Sequence, residues 1–219
     1  MQTDVLVSYL PLYTEAFLLT IKIGWLGITL SLVIGIVSAF LMHFRVPFLS
    51  KVAGIYVEIF RNTPLLVQLF FIYFGLPKAG FAVSAQGCGI VGLGLLGGSY
   101  MSEAIRSGLD AISSSQTESA QALGLSRFQV FRYVIFPEAL SLCVPAIVAN
   151  IIFLLKETSV FSAISLMDLM FTAKDLIGLY YDTTEALFLL VLFYTVMLLP
   201  VSMIGDRLEK ISRYRIFGD

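Results

Sequence analysis

The residues best suited to chemistry in this sequence lie in two short polar runs set among apolar neighbours. The first is Arg61-Asn62-Thr63-Pro64. A guanidinium grips a carboxylate through two parallel hydrogen bonds, and a nearby proline breaks the helical ladder and frees backbone groups beside it. The second run is Lys156-Glu157-Thr158-Ser159. Glu157 is suited to an ammonium group, and the hydroxyls of Thr158 and Ser159 can complete a polar pocket. A Lys-Glu pair that snorkels to an interface is the structural alternative. Glu58 with Arg61, and Glu103 with Arg106, are each spaced i, i+3, so each can pair on one helix face. Such charges either fix helices or face a polar path, and both readings stand at this point. Other chemistry has no foothold. His43 is the single histidine and has no second ligand beside it, no nucleophile–base constellation occurs, and no G-x-x-x-x-G-K-[ST] phosphate loop is present. The expectation is a chain that is not an enzyme and holds no metal; His43 is read as an interface residue.

The elements that position these residues must live in a membrane. Of 219 residues, 58 % are hydrophobic and 13 % charged, against roughly 25 % charged in ordinary globular domains; mean hydropathy is +0.91. This excludes disorder, a coiled coil and a disulfide scaffold, and it predicts an all-α integral membrane protein. A span needs about 20 apolar residues. Five are expected, at about 14–42, 52–76, 87–106, 139–156 and 184–205, in a single transmembrane domain over residues 1–219. The second is interrupted by Glu58, Arg61 and Pro64, and the fourth contains Pro145. The chain is too short for a secondary transporter of two many-helix repeats and leaves no room for a soluble catalytic domain. A net charge of −1 gives no nucleic-acid footprint. Cys88 and Cys143 fall in apolar segments near opposite faces and read as packing residues. Met1 to Tyr13 lacks Lys and Arg, so the basic start of a cleavable signal is missing and the first span is expected to be retained.

With the N-terminus outside, the inner segments hold Arg45, Lys51, Arg106, Arg127, Arg132, Arg207, Lys210, Arg213 and Arg215, and the outer ones Lys78, Lys156 and Lys174. That bias predicts N-out and C-in. Gly27, Ser31, Gly35 and Ala39, and likewise Gly94 and Gly98, recur every four residues, which lets helix backbones approach closely. Lys22 is expected to snorkel outward, and Tyr9, Tyr13 and Trp25 to form an interfacial belt.

The polar segment 107–137 carries helix signals. Ser115-Gln116-Thr117-Glu118 fits a capping box, predicting a short helix through Ala120 and Leu123 that ends at a left-handed Gly124. Ser126 with Gln129 offers a second box, whose helix would place Phe128, Phe131 and Ile135 on one face and Arg132 and Gln129 away from it. Both ends are tethered close to the bilayer and basic residues are few, which argues against a DNA-reading helix pair. A plain loop needs no capped helices, so a docking element for another protein is favoured.

Three stretches, Glu103-Ala104-Ile105-Arg106-Ser107-Gly108, Gln116 to Gly124, and Phe136-Pro137-Glu138-Ala139-Leu140, together resemble the EAA loop of ABC importer permeases. Two more, Tyr56 to Leu65 and Leu154 to Ser159, resemble the polar amino-acid uptake branch of that family. The motifs occur in order over nearly the whole chain. Ser119 stands where the family usually has the first alanine of EAA, Ser115 where glycine is common, and Glu138 where glutamine is frequent. The resemblance implies a type I ABC importer permease in a bacterial cytoplasmic (inner) membrane, working as a homo- or heterodimer. It implies two cytoplasmic ATPase subunits that bind the ATP and magnesium, so that this chain holds no cofactor, and an extracytoplasmic binding protein that delivers the amino acid. By the same likeness Gln116, Glu118, Ser119, Ala120, Ala122, Leu123 and Gly124 form the ATPase-coupling surface. Arg61, Asn62, Thr63, Lys156, Glu157, Thr158 and Ser159 line the substrate path. A channel or ion-coupled carrier that needs no ATPase is the alternative class, and a membrane anchor a third.

Overall fold

Helix α1 (Thr3–His43) and helix α4 (Ala85–Asp110) are pressed together along the small residues that the spacing singles out. A Cβ placed on Gly27 would fall 2.7 Å from Leu93, and one on Gly98 would fall 2.7 Å from Ile34. Side chains larger than hydrogen do not fit there, so the two backbones run side by side in parallel. Ser31 Oγ reaches across the seam to Leu93 O (2.9 Å) while also bonding Gly27 O of its own helix (2.8 Å). On its other flank α4 meets helix α7 (Phe136–Glu157): a Cβ on Gly97 would lie 2.6 Å from Leu154. Close contact replaces the hydrophobic drive that lipid does not supply.

The computed structural model describes residues 3–217, all in helices and their connections with no strand among them. Helix α2 (Leu49–Arg61) is followed by α3 (Leu65–Phe70), which continues through a π turn (Phe71–Gly75) and a 3-10 turn (Leu76–Ala79). After α4 come α5 (Ser114–Ala122) and α6 (Arg127–Val130); a π turn (Phe131–Ile135) joins α6 to α7, and a 3-10 turn (Thr158–Ile164) comes after α7. Helices α8 (Leu169–Tyr180) and α9 (Thr183–Phe217) complete the chain. By length and composition α1, α4, the run Arg127–Ile164 and α9 can each cross a membrane, and the α2–α3 pair, bent by 104°, makes a fifth if counted as one span. Arg213 and Arg215, used in the charge count, have side chains outside the described residues.

Two apolar cores result. The larger gathers Ile23, Leu69, Leu93, Leu154 and Phe161 between α1, α3, α4 and α7. The smaller joins Tyr9, Tyr13 and Ala16 of α1 to Leu169, Ala173 and Leu176 of α8 and to Ala186 and Leu189 of α9. Tyr9 and Tyr13 therefore do not stand in an interfacial belt. Their rings are buried in this cap, where Tyr9 Oη donates to Asp182 Oδ2 (2.6 Å) and Tyr13 Oη to Ala186 O (2.6 Å). Trp25 does face outward. Cys88 and Cys143 are free and buried, as packing residues should be.

The segment 107–137 differs from expectation in two places. The cap of α5 is Ser113, whose Oγ accepts from Gln116 N (3.3 Å), so the helix starts ahead of the Ser115 box. Three consecutive serines offer equivalent caps, and the short connection from α4 selects the first. The second box forms: Ser126 N donates to Gln129 Oε1 (2.8 Å) and Gln129 N to Ser126 Oγ (3.4 Å). Its helix, however, does not stay separate but runs through the π turn into α7. Gly124 takes the left-handed conformation at φ +87°, as expected.

Replacing Gly97 by Leu forces a branched side chain into the seam between Ser31 and Leu154. Overpacking of this kind costs about 1–3 kcal/mol, so the thermal midpoint of the detergent-solubilised protein should fall by several degrees. Gly178→Ala, at a helical position where an added Cβ meets nothing within 4 Å, should not lower it and should raise it slightly, because Ala loses less backbone entropy in a helix.

Candidate functional site

Pro64 has no N–H and forces the residue before it out of helical geometry, so α2 must end with its last carbonyls unsatisfied. Inside hydrocarbon each such group costs several kcal/mol. The sequence supplies the missing donors from three side chains. Asn62 Nδ2 donates to Glu58 O (2.7 Å) and Thr63 Oγ1 to Ile59 O (2.7 Å). Gln68 Nε2 donates to both Phe60 O (3.0 Å) and Thr63 O (2.9 Å). Beyond the break, α3 seats Leu65 and Leu69 against Gly92 of α4. Asn62 and Thr63 thus turn their side chains back onto α2.

Arg61, the last residue of α2, turns toward α4. Its Nη1 lies 3.2 Å from Glu103 Oε2, and its guanidinium carbon 5.9 Å from the centre of the Tyr100 ring, within cation–π range. The Glu58–Arg61 pair is therefore not what forms: the end of α2 delivers Arg61 to the neighbouring helix, while Glu58 Oε2 accepts from Asn62 Nδ2 (3.2 Å). The Glu103–Arg106 pair does form, at 3.0 Å. From it a ladder continues down α4, with Arg106 Nη1 3.6 Å from Asp110 Oδ2 and Asp110 Oδ1 3.0 Å from His43 Nδ1 at the end of α1. Two guanidinium groups balance two carboxylates. The rungs are only partly buried, and such pairs add little stability in water. At membrane depth their mutual neutralisation matters more, because an unpaired charge there is costly.

The second polar run lies along the end of α7. Thr158 is fully buried; its Oγ1 donates to Leu155 O (2.7 Å) and sits 3.3 Å from Tyr194 Oη of α9. Glu157 and Ser159 are half-buried, and Lys156 is exposed in a groove between α7 and α9 lined by Tyr194, Thr195 and Ser202. No hydrogen bond or ion pair joins the two polar runs among the described residues. They flank an aromatic contact instead: Tyr100, beneath Arg61, meets Phe153, one helical turn before Glu157, edge to face with centroids 5.3 Å apart.

Beyond the end of α4, α5 and the corner after it leave Gln116, Glu118, Ser119, Ala122, Leu123 and Gly124 exposed and bury Ala120. Gln116 Nε2 ties α5 to Glu138 Oε1 at the start of α7 (3.1 Å). Leu123 and Phe128 stand out as exposed apolar side chains, 82 % and 75 % accessible, beside the left-handed corner.

Four residues with work to do here escaped the motifs: Gln68, Tyr100, Tyr194 and Asp168. Gln68 had a signal, an amide in an apolar run one turn after a proline. Asp168 caps α8, accepting from Phe171 N at Oδ1 (2.9 Å). It is fully buried, and its Oδ2 has no donor among the described residues. Burial pushes its carboxyl up from 3.8 to about 7, against the opposing pull of backbone N–H donors and Lys174.

The described residues thus form helices and their connections, with four helices able to cross a membrane, a sharply bent α2–α3 pair, and a short capped helix beyond the end of α4. Residues 6–218 match the family described as binding-protein-dependent transport system inner membrane component, and the chain belongs to that family. Among its relatives, the probable glutamine ABC transporter permease protein GlnP of Bacillus subtilis (strain 168) is 35 % identical over 205 residues, covering 92 % of this chain and 94 % of that one. The arginine transport system permease protein ArtQ of the same organism is 34 % identical over 207 residues, covering 93 % and 94 %. The crystal structure of an amino acid ABC transporter with histidines superposes with a TM-score of 0.88 at 31 % identity, covering 96 % of this chain and 98 % of that one. The inward-facing MetNI methionine ABC transporter, at 22 % identity and a TM-score of 0.78 over 97 % and 99 %, shares the fold.

The Asp168 carboxyl keeps its proton in the folded chain up to about pH 7, whereas the unfolded chain releases it near 3.8. Stability therefore falls as pH rises through that window, by at most about 1.4 kcal/mol per unit, and levels off above it. Asp168→Asn retains a good cap and removes the titration. Its thermal midpoint in detergent should exceed that of the unsubstituted protein by a margin that grows between pH 4.5 and 7.

Proposed function

We propose that this chain is the membrane-spanning subunit of an ATP-driven importer, and that with a second permease subunit it forms the path for a polar amino acid. The observation that carries the reading is the full-length likeness to permeases named for glutamine and arginine. In this reading two cytoplasmic ATPase subunits bind ATP and magnesium and dock on α5, with Gln116, Glu118, Ser119, Ala120, Ala122, Leu123 and Gly124 at the contact. The chain itself makes no bonds in substrate and binds no cofactor. An extracytoplasmic binding protein delivers the amino acid, the membrane is a bacterial inner membrane, and the N-terminus lies outside with the C-terminus in the cytoplasm.

Arg61 is the group that grips the substrate carboxylate. Glu103 holds it in the described state, and opening of that pair frees both guanidinium edges. Asn62 and Thr63 serve the path by holding the backbone from which Arg61 projects. Glu157 meets the ammonium group across the Tyr100–Phe153 ring pair, with Thr158 and Ser159 completing the polar wall and Lys156 at its rim. This assignment sets substrate chemistry beside the ladder of charges along α4, which ends at Asp110, four residues before α5.

The test is uptake by proteoliposomes holding the chain, its co-purified ATPase and a loaded binding protein. Uptake should require ATP and the binding protein together; gradient-driven uptake by the chain alone would instead establish the channel or carrier class. Arg61→Ala should lower uptake at least tenfold, with Arg61→Lys intermediate because a point charge cannot reproduce the two-bond grip. A β-branched side chain is strained at φ +87°. Gly124→Val should therefore leave the complex assembled and hydrolysing ATP while uptake falls at least tenfold. Normal coupled uptake by Gly124→Val would remove α5 from the coupling role.

A further inference from the structure

We propose that Gln68 is a positioning residue of the transport cycle: it fixes the turn between α2 and α3 and so delivers Arg61 to Glu103. The break is a built joint and not a frayed end. The carbonyls of Glu58, Ile59, Phe60 and Thr63 are bonded by side chains within ten residues of one another, and each donor but one acts inside its own helical turn. Asn62 and Thr63 reach back four residues, so they seal α2 without constraining α3. Gln68 differs. It belongs to α3, and its single amide nitrogen holds Phe60 O on α2 and Thr63 O in the linker at once. It is therefore the side chain that ties one half-helix to the other across the 104° bend. Its burial, 6 % accessible, keeps water from substituting for it.

The joint's output is the direction of Arg61, the residue next to Phe60. The guanidinium meets Glu103 and Tyr100 of α4 only while the end of α2 keeps its present angle. Leu65 and Leu69 anchor α3 on α4 on their own, so losing Gln68 leaves α3 in place and releases the end of α2. A donor to two carbonyls is required at position 68, and apolar bulk does not suffice.

The experiment uses the assembled transporter in proteoliposomes. Gln68→Leu keeps side-chain volume and removes both donors. Uptake should drop at least tenfold with the amount of inserted chain and the co-purified ATPase unchanged. Gln68→Glu presents a carboxylate to two carbonyls at pH 8 and should be as poor as Gln68→Leu. On protonation it regains one O–H donor, so its uptake relative to the unsubstituted transporter should rise at least threefold between pH 8 and 5.5. A purely structural defect set during assembly would not track pH within one reconstituted sample. That profile also carries the test if Gln68→Leu fails to insert. Uptake by Gln68→Leu within twofold of the unsubstituted level, or a Gln68→Glu profile parallel to it, would overturn the proposal.

Discussion

A carbonyl oxygen in the interior of a bilayer must find its donor within the protein. In this chain that requirement is hardest to meet at Pro64, where a helix stops among apolar residues. Everything distinctive about the site depends on how it is met. Because Asn62, Thr63 and Gln68 donate to the carbonyls of Glu58, Ile59, Phe60 and Thr63, the chain can turn sharply with these four groups satisfied. Because it turns, Arg61 leaves its own helix face and finds a carboxylate on another. The residues that looked most like substrate ligands in the sequence are in part the means by which the backbone tolerates the turn.

The ion pairs are a second layer built on that turn. Glu103 is shared between Arg61 of one helix and Arg106 of its own, and Asp110 between Arg106 and His43. Each carboxylate thus has two partners, a shared guanidinium from Arg106 and a side chain from a different helix. Close packing along Gly27, Ser31, Gly94 and Gly98 keeps α1 and α4 in register, which holds His43 level with Asp110 at the last rung.

Much of this could be read from spacing alone. Four-residue repeats of small side chains marked the faces of α1 and α4 that pack closely, though not that they pack on each other, and the Ser126–Gln129 box and the Gly124 corner are local signals with local outcomes. Family likeness in the loop and in the two polar runs supplied the transport reading. The features that stayed hidden depend on distance along the chain. Nothing near Arg61 says that its partner is Glu103, forty-two residues on, and the nearer Glu58 is the obvious but unused choice. Tyr9 and Tyr13 look interfacial until α8 and the start of α9 fold over them. Helix α8 itself sits between two stronger apolar segments and begins at a buried aspartate, a residue type that ordinarily marks the surface. Among Ser113, Ser114 and Ser115 the sequence has no means of choosing a cap.

Helix α1 runs unbroken for 41 residues, about 60 Å at the helical rise, roughly twice the thickness of the hydrocarbon core. One end is fastened into the α8–α9 cap through Tyr9 and Tyr13, and at the other His43 meets Asp110 and Phe40 meets Phe131. Its long middle packs on α4 along the glycine seam, so a single continuous helix joins the α8–α9 cap to the 107–137 segment. Pro11 lies inside this helix near its capped end, where the missing N–H removes one bond of the helical ladder while Tyr9 and Tyr13 on either side hold the backbone to α9 and its start.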